Sequence, residues 1–278
     1  MDNPNSPASK ETVMINILLI QPLPASRLDS PENLKLAQSL LAQCRGRGAD
    51  LICFPEYFPF TGEAELAQAA RDLEAYVVAG LVAEHRGRRY NTASLFDRRG
   101  NLVGRQCKNT VADLERRGYG VIPGEGFQVL ETDFGRLGLP VCIDFWGQPE
   151  AARQLAAQGA DLIVNPSIFP ILRGHWPMGA LTRAFDYYLP VVGVSTAAFT
   201  AEIAGRRYAM QGGGSFAIQP PAPPDAKELA KLIRTWDDLS HWIVLTGGED
   251  QEILAVSLDL EGSKRWRPEI RQRFGITL

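Results

Sequence analysis

The apolar positions of this chain fall into short, nearly continuous runs separated by polar turns. Val13–Gln21 (VMINILLIQ) is the first run, as expected for a strand covered on both faces. Asp29-Ser30-Pro31-Glu32 then supplies a helix start with proline near the first turn. Leu34, Ala37, Leu41 and Cys44 keep helical spacing towards Arg45, and Gly46 and Gly48 end it. Leu51–Phe54 reads as a second buried strand stopping at Pro55, and Ala75–Ala83 as a third. Asn91–Phe96 and Leu102–Gln106 flank a glycine-containing hairpin connection, 97–101. Phe127–Glu131 and Leu137–Cys142 flank a second connection, 132–135. Beyond them the pattern predicts a helix from Pro149 to Gln158, a strand Leu162–Asn165 and a helix over 178–188. Strands Val191–Ala197, Ser215–Gln219 and Ile253–Leu258 follow. Residues 1–12 read as a loose N-terminal tail and 13–278 as one domain. The stiff stretch Pro220-Pro221-Ala222-Pro223-Pro224 and the helical pattern of 225–240 read as an insertion near 220–242, either a lid or a contact surface.

One internal repeat organises these elements. Gly48–Glu56 (GADLICFPE) matches Gly159–Ser167 (GADLIVNPS), with five identical residues in a row and a proline at the same place after each strand. Each copy follows a helix. Two similar halves of this kind predict an α/β protein with two sheets packed face to face and helices outside. A period of about 111 residues is too long for a solenoid.

Composition narrows the classes. Of 278 residues, 45 % are apolar and 22 % charged, ordinary globular usage that excludes disordered and collagen-like chains. Lys plus Arg is 29 and Asp plus Glu is 32, so the basic surplus of a nucleic-acid binder is missing. The locally basic stretch Lys264-Arg265-Trp266-Arg267, with Arg271 and Arg273, reads as pairing with acidic groups on the same or a partner subunit. Cys44, Cys53, Cys107 and Cys142 contain no CxxC pair and suggest no disulfide framework. That usage, a polar N-terminus without a signal core, and the lack of a membrane-length apolar run point to a soluble, cytoplasmic protein.

Three reactive side chains share one context, the end of an apolar strand. Glu56 follows Leu-Ile-Cys-Phe-Pro and is either a cap or surface group or, in an apolar setting, a base usable near neutral pH. Lys108 is the only lysine between positions 36 and 226; it is a solvated strand end or a fixed cation for a developing oxyanion. Cys142 is a buried structural thiol or a nucleophile at a strand-to-helix turn, where free backbone N–H groups lower a thiol pKa or bind an oxyanion.

Together these residues resemble the nitrilase superfamily of carbon–nitrogen hydrolases, amidase-like branch. The likeness runs over nearly the whole chain: a strand ending in Gln21, Gly48–Glu56, Tyr90-Asn91, Gly100, Lys108, Pro123-Gly124, Gly138 through Asp144, Asn165-Pro166-Ser167, Arg183-Ala184, 213–215 and Asp259. The resemblance implies a four-layer αββα sandwich and a catalytic triad of Glu56, Lys108 and Cys142. It implies hydrolysis of a non-peptide C–N bond in a small amide or carbamoyl compound through a cysteine thioester, releasing ammonia or an amine. Lys108 and the Ile143 N–H hold the oxyanion in that scheme, and Glu115 positions substrate. Tyr57, Trp146, Asn165 and Phe169 are candidate pocket residues. The alternatives are nitrile hydrolysis by the same triad, or a non-catalytic or acyl-transferring descendant. No metal or organic cofactor is implied. The partners are a small-molecule amide or nitrile and a second copy of the chain in a homodimer or larger homo-oligomer. Three departures stand out. Thr110 replaces a common histidine, Pro149-Glu150 falls one residue late, and the segment from Gly62 to Ala75 is short, which predicts a reshaped pocket rim. Ile143-Asp144 after the cysteine, where nitrile-cleaving members carry Trp-Glu, favours amides.

Overall fold

The computed structural model describes residues 14–25, 27–168, 174–203, 206–222 and 236–275. The tail 1–12 and most of the predicted 220–242 excursion lie outside them; within the latter, a short helix α7 (Trp236–Ser240) is described. Among the described residues, no helix is long and apolar enough to cross a membrane.

Period-2 alternation on buried strands builds the sandwich. In β1 (Met14–Gln21), Ile15, Ile17 and Leu19 face one way while Leu18 and Ile20 face the other. The first set joins Leu51 and Cys53 of β2 (Leu51–Cys53) and Val78 of β4 (Tyr76–His85). It packs against Leu137 of β8 (Gly135–Gly138), Leu162 and Val164 of β9 (Leu162–Pro166), and Val192 and Val194 of β10 (Val191–Val194). That cluster is the seam between two sheets. On the outer face of the first sheet, Leu18, Ile20, Ile52 and Val77 meet α1 (Pro31–Ala42) and α2 (Glu63–Leu73). On the outer face of the second, Ile163 and Val191 meet α5 (Pro149–Ala157), α6 (His175–Tyr187) and α8 (Leu260–Phe274). The layers are therefore helix, sheet, sheet, helix, which is the expected sandwich.

The first sheet runs β15-β1-β2-β4-β5-β6, with β15 (Glu252–Asp259), β5 (Arg88–Phe96) and β6 (Leu102–Cys107), and β3 (Pro59–Phe60) paired beside β4. The second runs β14-β13-β10-β9-β8-β7, with β14 (Ile243–Thr246), β13 (Phe216–Ile218) and β7 (Val129–Thr132). A separate ribbon pairs β11 (Ala198–Ile203) with β12 (Arg206–Gln211). The sequence repeat falls on β2 and β9, which both lie inside their sheets, parallel to neighbours on either side. Its aspartates make equivalent contacts. Asp50 accepts from Asn16 N at 3.0 Å, and Asp161 accepts from Arg136 N at 3.1 Å. Asp161 also takes the basic C-terminal stretch: Lys264 at 3.7 Å and buried Arg267 at 3.5 Å, both within this chain.

Several expected boundaries move. The strand expected over Leu137–Cys142 ends at Gly138, since Pro140 has no N–H for the ladder and Cys142 turns to φ 53°. The strand expected over Val191–Ala197 ends at Val194. The helix expected over 178–188 begins at His175, because proline is tolerated in a first turn. The short segment after Gly62 forms α2, whose Leu66 and Ala70 pack on the outer face of the first sheet.

Candidate active site

Each reactive side chain sits where a strand leaves its sheet. Glu56 follows β2, and its backbone crosses β4 at Gly80. A Cβ at Gly80 would lie 2.3 Å from the Pro55 carbonyl and 2.4 Å from Tyr57 N, so only glycine admits this approach. Lys108 follows β6, and its N–H donates to the Asn91 carbonyl of neighbouring β5 at 2.8 Å. Cys142 lies past β8 with φ 53° and ψ −121°, a conformation that costs a non-glycine residue about 1–3 kcal/mol. Its N–H donates to the Pro166 carbonyl at 2.8 Å. Asn165 donates Nδ2 to the carbonyls of Pro140 (2.7 Å) and Cys142 (3.2 Å). Asn165 Oδ1 in turn accepts from Trp176 Nε1 at 2.8 Å and Ser167 Oγ at 3.2 Å. Asn165 therefore braces the cysteine turn from behind and stands outside the cavity wall.

Asp144 ties two of the three loops together. It is fully buried and accepts from the backbone N–H groups of Asn109 and Thr110, each at 2.7 Å. The residues after Lys108 and those after Cys142 are thus held in one register.

Lys108 bridges two carboxylates. Its Nζ lies 2.7 Å from Glu56 Oε1 and 2.9 Å from both oxygens of Glu115, with its side chain 6 % exposed. Asn91 Nδ2 donates to Glu56 Oε1 at 2.7 Å and to Glu115 Oε1 at 3.2 Å. Tyr57 Oη donates to Glu115 Oε1 at 2.8 Å, and Ala112 N to Glu115 Oε2 at 2.9 Å. Glu56 Oε2 is buried and has no hydrogen-bond partner among the described residues.

Burial divides the two carboxyls. It pushes Glu56 up; Lys108 pulls it back and the nearby Glu115 charge adds to the rise, leaving it above the ordinary carboxylate range. Glu115 is also pushed up by burial, but Lys108 and the Ala112 N–H outweigh that and hold it below the ordinary range. Burial raises the Cys142 thiol, the Glu56 carboxylate facing it raises it further, and Lys108 opposes both. Lys108 is pushed down by burial but carried above its ordinary value by Glu56, Cys142 and Glu115, so it is a fixed cation. The resting arrangement is a neutral thiol beside a carboxyl of raised pKa, the pairing a base-activated nucleophile requires.

These groups open onto a cavity of about 290 Å³, whose wall includes Glu56, Tyr57, Lys108, Glu115, Cys142, Ile143 and Trp146. The structure thus brings Glu56, Lys108, Cys142, Ile143, Glu115, Tyr57 and Trp146 together. Phe169 lies outside the described residues. The Ile143 N–H has no acceptor among the described residues and stands beside the cysteine at the start of α4 (Ile143–Trp146). Thr110 and Ala112 also line it, and Leu28, Val111, Leu114, Tyr119 and Ile168 complete the wall; no pattern along the chain singles out these five apolar residues. Asn91 had a signal, a polar residue inside an apolar strand. Its role needs the register that sets it beside Glu56. Among the described residues, no three His, Cys, Asp or Glu side chains gather as a metal-binding group.

Comparison with known proteins decides the family. The carbon–nitrogen hydrolase model matches residues 18–222, most of the chain and every residue of this cluster. The chain belongs to the carbon–nitrogen hydrolase family. A hydrolase of Schizosaccharomyces pombe is 29 % identical over 190 residues, 58 % of this chain and 59 % of that protein. An omega-amidase of Mus musculus is 30 % identical over 192 residues, 60 % of this chain and 69 % of that protein. The match thus spans little more than half of the first of these relatives. Among solved structures, a mutant of the amidase from Nesterenkonia sp. AN1 superposes with a TM-score of 0.70 at 22 % identity, covering 95 % of this chain and 98 % of that one. That structure carries the acetamide moiety of fluoroacetamide added covalently at its active-site cysteine. At this identity the likeness establishes the shared family fold.

Proposed function

We propose that this carbon–nitrogen hydrolase cleaves small amides through a thioester on Cys142. The observation that carries the reading is the convergence of Glu56, Lys108 and Cys142 on one cavity, with Lys108 2.7 Å from the Glu56 carboxylate. Glu56 takes the thiol proton as the sulfur attacks the amide carbon. Negative charge develops on the carbonyl oxygen, where Lys108 and the Ile143 N–H neutralise it. An ammonium has three donors. One meets Glu56, and one shared between the two Glu115 oxygens leaves the third for the oxyanion. Collapse breaks the C–N bond. Glu56 returns its proton to the leaving nitrogen, and ammonia or an amine departs. Glu56 then takes a proton from water, which attacks the thioester and releases the acid with the thiol restored. Glu115 stays ionised throughout, fixes Lys108 and lies within reach of the substrate.

The omega-amidase relative supports an amide substrate, and so does Ile143-Asp144 after the cysteine, where nitrile-cleaving members carry Trp-Glu. The test is ammonia release from a panel of small amides and nitriles, with Cys142→Ala in parallel. The expected result is release from amides by the natural protein and none by the variant. Undiminished release by Cys142→Ala sinks the mechanism.

A further inference from the structure

The charged and reactive groups of the cavity wall are Glu56, Lys108, Glu115, Cys142 and the Ile143 N–H. Tyr57 Oη is engaged, donating to Glu115 at 2.8 Å, and the Thr110 N–H donates to Asp144 at 2.7 Å. The remaining wall is Leu28, Val111, Leu114, Tyr119, Trp146 and Ile168. Leu28, Tyr57, Val111, Tyr119 and Ile168 belong to a small hydrophobic cluster separate from the sandwich core, so this lining is a packed apolar unit.

Charge at the site is already committed. Among the described residues, Lys108 is the only cation in the wall, and it is bound to two carboxylates. Arg27, whose charge reaches Tyr119 at the rim, is paired with Asp29 at 2.8 Å. An acyl group with its own carboxylate would bring a third negative group near Glu56 and Glu115, and the one cation of the wall among the described residues is already bound to both. Burying such a charge unpaired is strongly unfavourable, whereas an apolar chain gains from the same wall.

We infer that the substrate is a neutral amide with a short apolar acyl group, and that amides bearing a distal carboxylate are rejected. This rests on the amidase reading above. It sets the chain apart in specificity from any relative that admits a charged acyl group.

The test compares three probes of similar length: 4-methylpentanamide, succinamate and the methyl ester of succinamate. The first two differ by an isopropyl group against a carboxylate, and the ester removes the charge while adding one methyl group. Ammonia release is measured for each on the natural chain. The expected kcat/KM for 4-methylpentanamide exceeds that for succinamate by about a hundredfold or more, with the ester recovering most of the difference. Equal or faster turnover of succinamate overturns the inference and leaves the amidase reading intact. So does an ester rejected as strongly as the acid, since charge would then not be what the pocket reads. Failure of all three, with no acyl group trapped on Cys142, overturns the amidase reading and the inference with it.

Discussion

Glu56 is held between opposing influences, and its neighbours can be removed one at a time. Asn91 donates to Glu56 Oε1 at 2.7 Å and so favours the ionised form. In Asn91→Leu that bond is lost, the Glu56 pKa rises further, and the acid limb of kcat/KM moves to higher pH. A hydrogen bond to a charged group is worth enough to move the limb by about one unit. Glu115→Gln acts in the other direction. The Glu115 charge raises Glu56, so removing it lowers the Glu56 pKa. The acid limb then moves to lower pH even as turnover falls through looser positioning of Lys108. A pH–rate series on the two variants checks both signs. Shifts in the same direction would contradict the assignment of Glu56 as the titrating base.

At the scale of elements, the strands were legible because buried strands in a two-sheet core are apolar on both faces. Leu51–Phe54 and Leu162–Asn165 show this directly, and their shared GADLI tied them to equivalent places in the two sheets. The family motifs likewise marked Glu56, Lys108 and Cys142. What stayed hidden depends on contacts between distant segments. Leu28 and Ile168 reach the cavity from separate loops. The strand predicted to run to Cys142 stops four residues earlier: Pro140 cannot donate to the ladder, and the Asn165 side chain and the Pro166 carbonyl, both distant in sequence, hold the cysteine turn that follows. The close crossing at Gly80 is of the same kind. In Gly80→Ala the new methyl meets backbone of 55–57 rather than a flexible side chain, so β4 and the Glu56 loop must separate. The expected cost is about 1–3 kcal/mol in denaturant unfolding, together with a fall in kcat. A variant with natural stability and turnover would show that the crossing does not position Glu56.

For the whole molecule, the seam between the sheets carries the fold while the site sits at its strand ends. Leu162 is fully buried in that seam and does not line the cavity. Leu162→Ala should lower unfolding stability by about 2–5 kcal/mol and leave the pH–rate profile of the folded fraction unchanged. A shift in that profile would mean that seam packing sets the Glu56 environment.

The proposed reaction passes through a covalent bond between substrate and Cys142. Rapid acid quench of the protein with a turned-over amide, followed by intact-mass and peptide mapping, reads it directly. The predicted result is a mass increase equal to the acyl group, located on the Cys142 peptide and removed by hydroxylamine. Turnover with no acyl adduct on that peptide at any quench time, together with full activity of Cys142→Ala, would contradict it.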